Sequence, residues 1–252
     1  MSFDVAADAY DRFMGRYSTL LSPQLADLAG VRGGQRALDV GCGPGALTAE
    51  LVRRLGPASV AAVDPSAPFV AAARARNPEV DVRQASAEEL PFADDAFDAA
   101  LAQLVVHFMS DPVAGLAEMA RVTRRGGVVA ACVWDYGGGT DPLGAFWQAA
   151  RELDPEVHDE SERAGTREGH LAELFEAAGL HDIQATALSV SLEHWSFEEW
   201  WEPFTGGVGP AGSHVASLDA EAQAELRERC RAQLPTAPFV ITARAWATRG
   251  LA

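Results

Sequence analysis

The chain has 252 residues, 48% of them hydrophobic and 22% charged, a composition that supports a packed core rather than a disordered segment. Its 36 acidic side chains against 20 basic ones leave a net charge of −16, a field that repels phosphate backbones and anionic lipid and argues against nucleic acid as a partner. All the basic residues are arginine; without lysine there is neither Schiff-base chemistry nor the phosphate-binding lysine of a P-loop.

Met1 to Asp4 lacks a basic-then-apolar leader pattern, and no apolar run approaches the roughly 18 residues that cross a bilayer. The expectation is a cytoplasmic protein without membrane contact. Three cysteines without a CxxC pair imply reduced thiols, and six scattered histidines without HExxH imply no metal centre. Residues 4–30 read as two short helices joined near Gly15. A short apolar strand over 36–40 ends at a glycine cluster, and a helix over 46–55 carries Leu47, Leu51, Val52 and Leu55 at helical spacing. A second strand, Val60 to Val63, is closed by Asp64-Pro65. A helix over 67–76, a strand over 80–83 and a fully apolar strand over 97–104 follow.

Asp111-Pro112 supplies an N-cap and a proline at the first helical position. The helix they open ends at Gly126-Gly127, and Val128 to Trp134 forms a fifth strand. This alternation over about residues 36–134 predicts an open parallel sheet covered on both faces. Beyond it come a helix near 144–153, an acidic stretch from Asp154 to Glu162 read as a solvated loop, an amphipathic helix over 170–178, and strands over 183–192 and 239–248 with two helices between them.

The sharpest motif is Asp39-Val40-Gly41-Cys42-Gly43-Pro44-Gly45, running from a strand end into a helix. Glycines let a ligand approach the backbone, and the helix start offers free N–H groups. Dinucleotide enzymes use GxGxxG with pyrophosphate at this position. The spacing here is GxGxG, and a carboxylate at the mouth of the loop repels pyrophosphate. Asp39 suits a ligand carrying ammonium or sulfonium. Asp64, ending the second strand, stands where a ribose-diol acceptor is expected, or is a helix cap.

At these residues the sequence resembles class I S-adenosylmethionine-dependent methyltransferases. Besides the glycine loop and Val63-Asp64-Pro65-Ser66, the segments Ala85 to Phe92, Phe97 to Gln103 and Arg121 to Gly127 are similar to that family's third, fourth and fifth motifs. The likeness is to the small-molecule subgroup that includes quinone-biosynthesis enzymes, and it is strong over about residues 30–135. It implies S-adenosylmethionine as cofactor, a small-molecule acceptor, and a Rossmann-like, doubly wound, mostly parallel seven-stranded sheet whose last strand is antiparallel. The expected organisation is one domain over 1–252, with N-terminal helices over 1–30 and helical cap insertions over 136–165 and 193–238.

The resemblance also implies roles. Gly41 and Gly43 approach the methionine end of the cofactor with Cys42 between them as a small filler, and Asp39 faces the ammonium. Asp64 holds the ribose, Pro65 packs near the adenine, and Ser86 and Ala87 meet the adenine edge. Ser86 stands where the family has aspartate. Ala102 and Gln103 close the methionine side. Tyr10, Arg16 and Tyr17 belong to a segment that folds over the cofactor in similar enzymes. His107, just after the fourth strand, is either a proton acceptor for the substrate or a packing residue. Trp200, Trp201 and Phe204, after a Ser196–Glu199 capping box, are either a lid over an apolar acceptor or a satellite core. Two rival readings are a nicotinamide-dependent oxidoreductase on a similar fold and a non-enzymatic S-adenosylmethionine-binding protein.

Overall fold

Seven strands form one sheet in the order β3-β2-β1-β4-β5-β7-β6. They are β1 Ala37–Val40, β2 Val60–Asp64, β3 Asp81–Gln84, β4 Phe97–Gln103, β5 Thr123–Trp134, β6 His181–His194 and β7 Phe239–Leu251. The computed structural model describes residues 7–252. β1 to β5 pair in parallel; β7 runs antiparallel to both β5 and β6, so it is the one reversed strand. The seven-strand, mostly parallel sheet with its last strand antiparallel matches the sequence expectation.

Alternate residues of each strand feed opposite faces, as the strand period requires. Ala37, Ala62, Leu101 and Cys132 pack beneath α2 (Arg16–Leu28) and α3 (Ala46–Leu55). Leu38, Val63, Ala100 and Val133 pack beneath α5 (Pro112–Val122) and α7 (His170–Ala177). Burial on both faces is why the central strands read as continuous apolar runs. Strand order reverses beside β1, and the crevice that this opens at the carboxyl ends of β1 and β4 is where open α/β sheets bind ligands.

A third cluster lies at those carboxyl ends. The β6–β7 hairpin overshoots β5, since Trp134 pairs with Ala245 while β7 begins at Phe239. Against the overshoot pack α6 (Gly144–Leu153), α8 (Phe197–Trp201), α9 (Gly209–Ser217) and α10 (Ala220–Gln233).

Several boundaries differ from expectation. The chain does not break at Gly15: α1 (Ala7–Tyr10) continues through a π-helical turn, Asp11–Gly15, into α2, with Gly15 helical at φ −57. Residues 1–6 of the expected N-terminal segment lie outside the described residues. Gly126-Gly127 does not end α5. Thr123 Oγ1 caps the Met119 carbonyl and the strand begins there, with Gly126 at φ +71 where the β4–β5 register shifts. The acidic stretch is not simply solvated, because Glu160 is buried within it. No helix among the described residues is long and apolar enough to cross a membrane.

Candidate functional site

The glycine loop is braced from below. Gly41 and Cys42 both donate to the Val63 carbonyl, at 2.8 and 2.9 Å, which folds the loop over the end of β2. Gly41 has φ +70, and a Cβ there would lie 2.4 Å from Val105 Cγ2, so only glycine fits. Gly43 N–H donates to Asp64 Oδ2 and Ser66 N–H to Oδ1, each at 2.8 Å. Asp64 therefore holds the loop and also turns the chain into α4 (Ala67–Arg76). Each carboxylate oxygen keeps a second acceptor site, and Asp64 lines the cavity described below. Burial pushes its carboxyl up while the Ser66 and Gly43 N–H groups pull it down.

Asp39 lies under the loop. Its Oδ2 accepts from Thr48 Oγ1 at 2.6 Å, while buried Oδ1 has no partner. Burial pushes the carboxyl up to about 7, against the Thr48 hydroxyl and with help from Asp64. Gln103, at the end of β4, donates through Nε2 to the Ser18 carbonyl at 3.1 Å and leaves Oε1 unpartnered. Both side chains border one recess with Tyr10, Gly41 and Gly43. An orphaned buried acceptor costs about 1–3 kcal/mol, so two in one recess call for a multiple donor. Cys42 also borders it, with a thiol that burial and the two aspartates hold well above its ordinary value, which makes it a filler and not a nucleophile.

The recess adjoins a larger cleft that shares Tyr10, Gly41, Gly43 and Gln103 with it. One end is Gly41, Gly43, Asp64, Pro65, Ser66 and Phe69. The other is apolar, walled by Phe13, Leu143, Val208 and Ala211. Between them stand Gln103, Leu104 and Trp134. Leu104 is held at φ +61, a conformation a branched side chain seldom adopts, just where β4 meets the cleft.

Three more polar groups face this cleft: His107, Tyr136 and Glu160. His107 follows β4 in a short turn, Val106–Phe108. Both its ring nitrogens are buried and unpartnered, and burial, aided by Arg163, pushes the imidazole down to about 3. It is a neutral ring at pH 7. Its ring centre lies 5.7 Å from that of Tyr136, whose phenol burial holds far above its usual value, with Glu160 adding to the shift. Glu160 is 1% exposed, with Oε2 unpartnered. Burial and Asp141 push its carboxyl up to about 8, outweighing Arg163. The loop turns Glu160 inward through its neighbours: Asp159 pairs with Arg151 and caps Ser161, and Thr166 Oγ1 bonds the Ser161 and Arg163 carbonyls.

The structure thus brings Asp39, Gly41, Cys42, Gly43, Asp64, Pro65, Gln103, Tyr10 and His107 to one cleft and its recess. Other expectations need correction. Arg16 does not face the cleft: it pairs with Glu199 at 2.8 Å and bonds the Glu193 carbonyl. Tyr17 points to the hairpin, its hydroxyl 3.1 Å from His194 Nε2. Tyr10 and Met14 do line the cleft, and Arg16 and Tyr17 follow Tyr10 by six and seven residues, beyond the π-helical turn Asp11–Gly15. Ala102 is buried in the sheet's second face. Ser86 and Ala87 lie in the turn after β3; the Ala87 side chain packs in the same cluster, and the contact expected of Ala87 is through its backbone N–H, which that packing does not oppose.

Trp200, Trp201 and Phe204 are 3%, 7% and 1% exposed. They are satellite core rather than an open lid, because Phe146 stacks on Phe204 at 4.6 Å and Phe13, Val208 and Ala211 stand between this core and the cleft. Sequence reasoning missed Tyr136 and Glu160. Tyr136 follows β5 at the sheet's carboxyl edge, a topological signal that would have found it. Nothing local marks Glu160 within its acidic stretch.

Residues 38–131 match a family model described as a methyltransferase domain. An uncharacterized methyltransferase of Mycobacterium tuberculosis is 36% identical over 127 residues, 50% of this chain and 49% of that protein. A demethylmenaquinone methyltransferase of Beutenbergia cavernae is 40% identical over 101 residues, 40% of this chain and 41% of that protein. The chain spans about half the length, or less, of the curated relatives it matches. Among solved structures, the YcgJ protein from Bacillus subtilis superposes with a TM-score of 0.60 at 21% identity, covering 94% of this chain and 98% of that one. The resemblance read from the five motifs is borne out over the matched segment.

Proposed function

We propose that this chain, whose residues 38–131 match a methyltransferase-domain family, transfers the methyl group of S-adenosylmethionine to a small, partly apolar molecule. The observation that carries this reading is the pair of orphaned acceptors, Asp39 Oδ1 and Gln103 Oε1, in one recess behind a GxGxG loop. Two buried acceptors fit an ammonium and do not fit a pyrophosphate, which counts against the nicotinamide alternative.

In this reading Asp39 and Gln103 receive the cofactor's ammonium. Asp64 offers its remaining lone pairs to the ribose diol while it keeps Gly43 in place, and Pro65 and Phe69 supply an apolar wall beside it. When bound, S-adenosylmethionine supplies an electrophilic methyl on a sulfonium. The chain's own work is alignment and exclusion of water: displacement in line needs acceptor, methyl and sulfur held together more than it needs strong acid–base groups. Phe13, Leu143, Val208 and Ala211 keep the acceptor end dry, where fixed dipoles act most strongly.

The test is release of S-adenosylhomocysteine, followed by mass spectrometry, when the chain and S-adenosylmethionine meet a panel of small aromatic amines, phenols and enols. Acceptor-dependent release is expected. Tight cofactor binding with no release from any panel member would favour the non-enzymatic alternative.

A further inference from the structure

We propose that Glu160 is the acceptor-recognising residue and that it selects an amine: the structure assigns the unpartnered carboxyl of Glu160, in an aromatic chamber shared with Tyr136, His107, Phe108 and Trp134, to the acceptor nitrogen. The inference rests on the methyl-transfer reading for its chemistry, though its binding claim stands apart from it.

Glu160 is buried from solvent, faces the cleft, and leaves Oε2 without a hydrogen bond. A carboxyl so placed wants a cation or a donor. The titratable and charged groups around it are Asp141 and Tyr136 from the segment after β5, Asp159 and Arg163 from its own loop, and His107 from the turn after β4. Asp159 is already paired with Arg151, and Arg163 donates to the His107 carbonyl while lying over the Phe108 ring. No arginine among the described residues lines the cleft, and His107 there is neutral at pH 7. A cationic ligand would supply the missing charge, and the aromatic faces favour a cation further.

The same burial that attracts the amine also readies it. An alkylammonium loses its proton near pH 10 in water, and the Glu160 carboxyl holds its proton up to about 8. As the ammonium binds, the carboxyl's own proton leaves to water; in a chamber that disfavours separated charge, the ammonium proton then passes to the vacated Oε2 and frees the nitrogen lone pair. That pair then forms the N–C bond while the C–S pair stays on sulfur. The carboxyl's proton leaves to water, and the methylated ammonium is again paired with the carboxylate.

Calorimetric titration of the full chain, saturated with S-adenosylhomocysteine at pH 7, tests this with 2-phenylethylamine against its neutral isostere 2-phenylethanol. The amine should bind at least tenfold tighter, with about one proton released, read as the difference in heat between phosphate and Tris buffers. Glu160→Gln should erase the preference and the proton release and leave S-adenosylhomocysteine affinity within about twofold. Equal binding of amine and alcohol, or a preference that survives in Glu160→Gln, would overturn the assignment. If the variant does not fold, proton release by the wild-type chain decides. A wild-type chain that fails to bind S-adenosylhomocysteine overturns the methyl-transfer reading instead, and the amine titration without it still decides the role of Glu160.

Discussion

Asp64 does two jobs that one substitution separates. Its oxygens take the Gly43 and Ser66 N–H groups, and its free lone pairs are offered to the cofactor. Asp64→Ala strips both. Two backbone donors left bare cost about 1–3 kcal/mol each, so the melting temperature should fall together with S-adenosylhomocysteine affinity, which should drop at least ~10-fold. A lower melting temperature with unchanged affinity would mean that Asp64 is a brace only. Gly41→Ala asks a different question. The new methyl meets Val105 Cγ2 at 2.4 Å on a backbone at φ +70. The left-handed conformation alone costs roughly 1–2 kcal/mol for a residue with Cβ, and Val105→Ala relieves the clash but not that strain. The double variant should therefore recover part of the lost stability in a thermal melt; full recovery would show that the backbone there is unstrained.

At the scale of elements, α8 and the turn after it were the hardest to read. Phe197, Trp200 and Trp201 share a helix face, and a lid and a core give the same spacing. What decides is where the β6–β7 overshoot places its far partners, Phe146, Val215 and Leu226, all more than ten residues away in sequence. Trp201→Ala should cost about 3–5 kcal/mol, as buried aromatic truncations do. For a domain of this size that lowers the melting temperature by about 6–20 °C, at 2–4 °C per kcal/mol, with S-adenosylhomocysteine affinity within a few-fold. A small melting shift would return Trp201 to the cleft wall.

The strand–helix alternation through Trp134, by contrast, was legible because parallel strands buried on both faces must be apolar throughout. The glycine loop was legible because Gly41 tolerates no side chain. Arg16 and Tyr17 were not, since a π-helical turn rotates them away from Tyr10, and the sequence carries no mark of that rotation. Glu160 was hidden for a similar reason: its burial comes from hydrogen bonds among Asp159, Ser161 and Thr166, not from any periodic pattern.

Across the described residues, buried carboxyls titrate late: Asp39 and Asp141 near 7 and Glu160 near 8. Each has a folded value raised above its unfolded one, so the folded chain binds more protons and loses stability as pH rises. Below pH 6.5 the buried His107 and His194, pushed down to about 3 and 4, oppose that trend. Above it that opposition fades as the unfolded histidines lose their remaining protons, while these carboxyls are still titrating and outweigh it. The melting temperature of the free chain should therefore fall between pH 6.5 and 8. S-adenosylhomocysteine, which brings an ammonium to Asp39, should flatten the fall and bind more tightly at pH 8 than at pH 6.5. A melting temperature that rises over this window would contradict the burial of these groups.

The most direct test of the central claim is calorimetric titration of the purified chain with S-adenosylhomocysteine and, separately, with NADH. The orphaned acceptors Asp39 Oδ1 and Gln103 Oε1 behind the GxGxG loop predict saturable 1:1 binding of S-adenosylhomocysteine, weakened at least tenfold in Asp39→Asn, and no measurable heat with NADH. Tight NADH binding with none of S-adenosylhomocysteine would contradict the account.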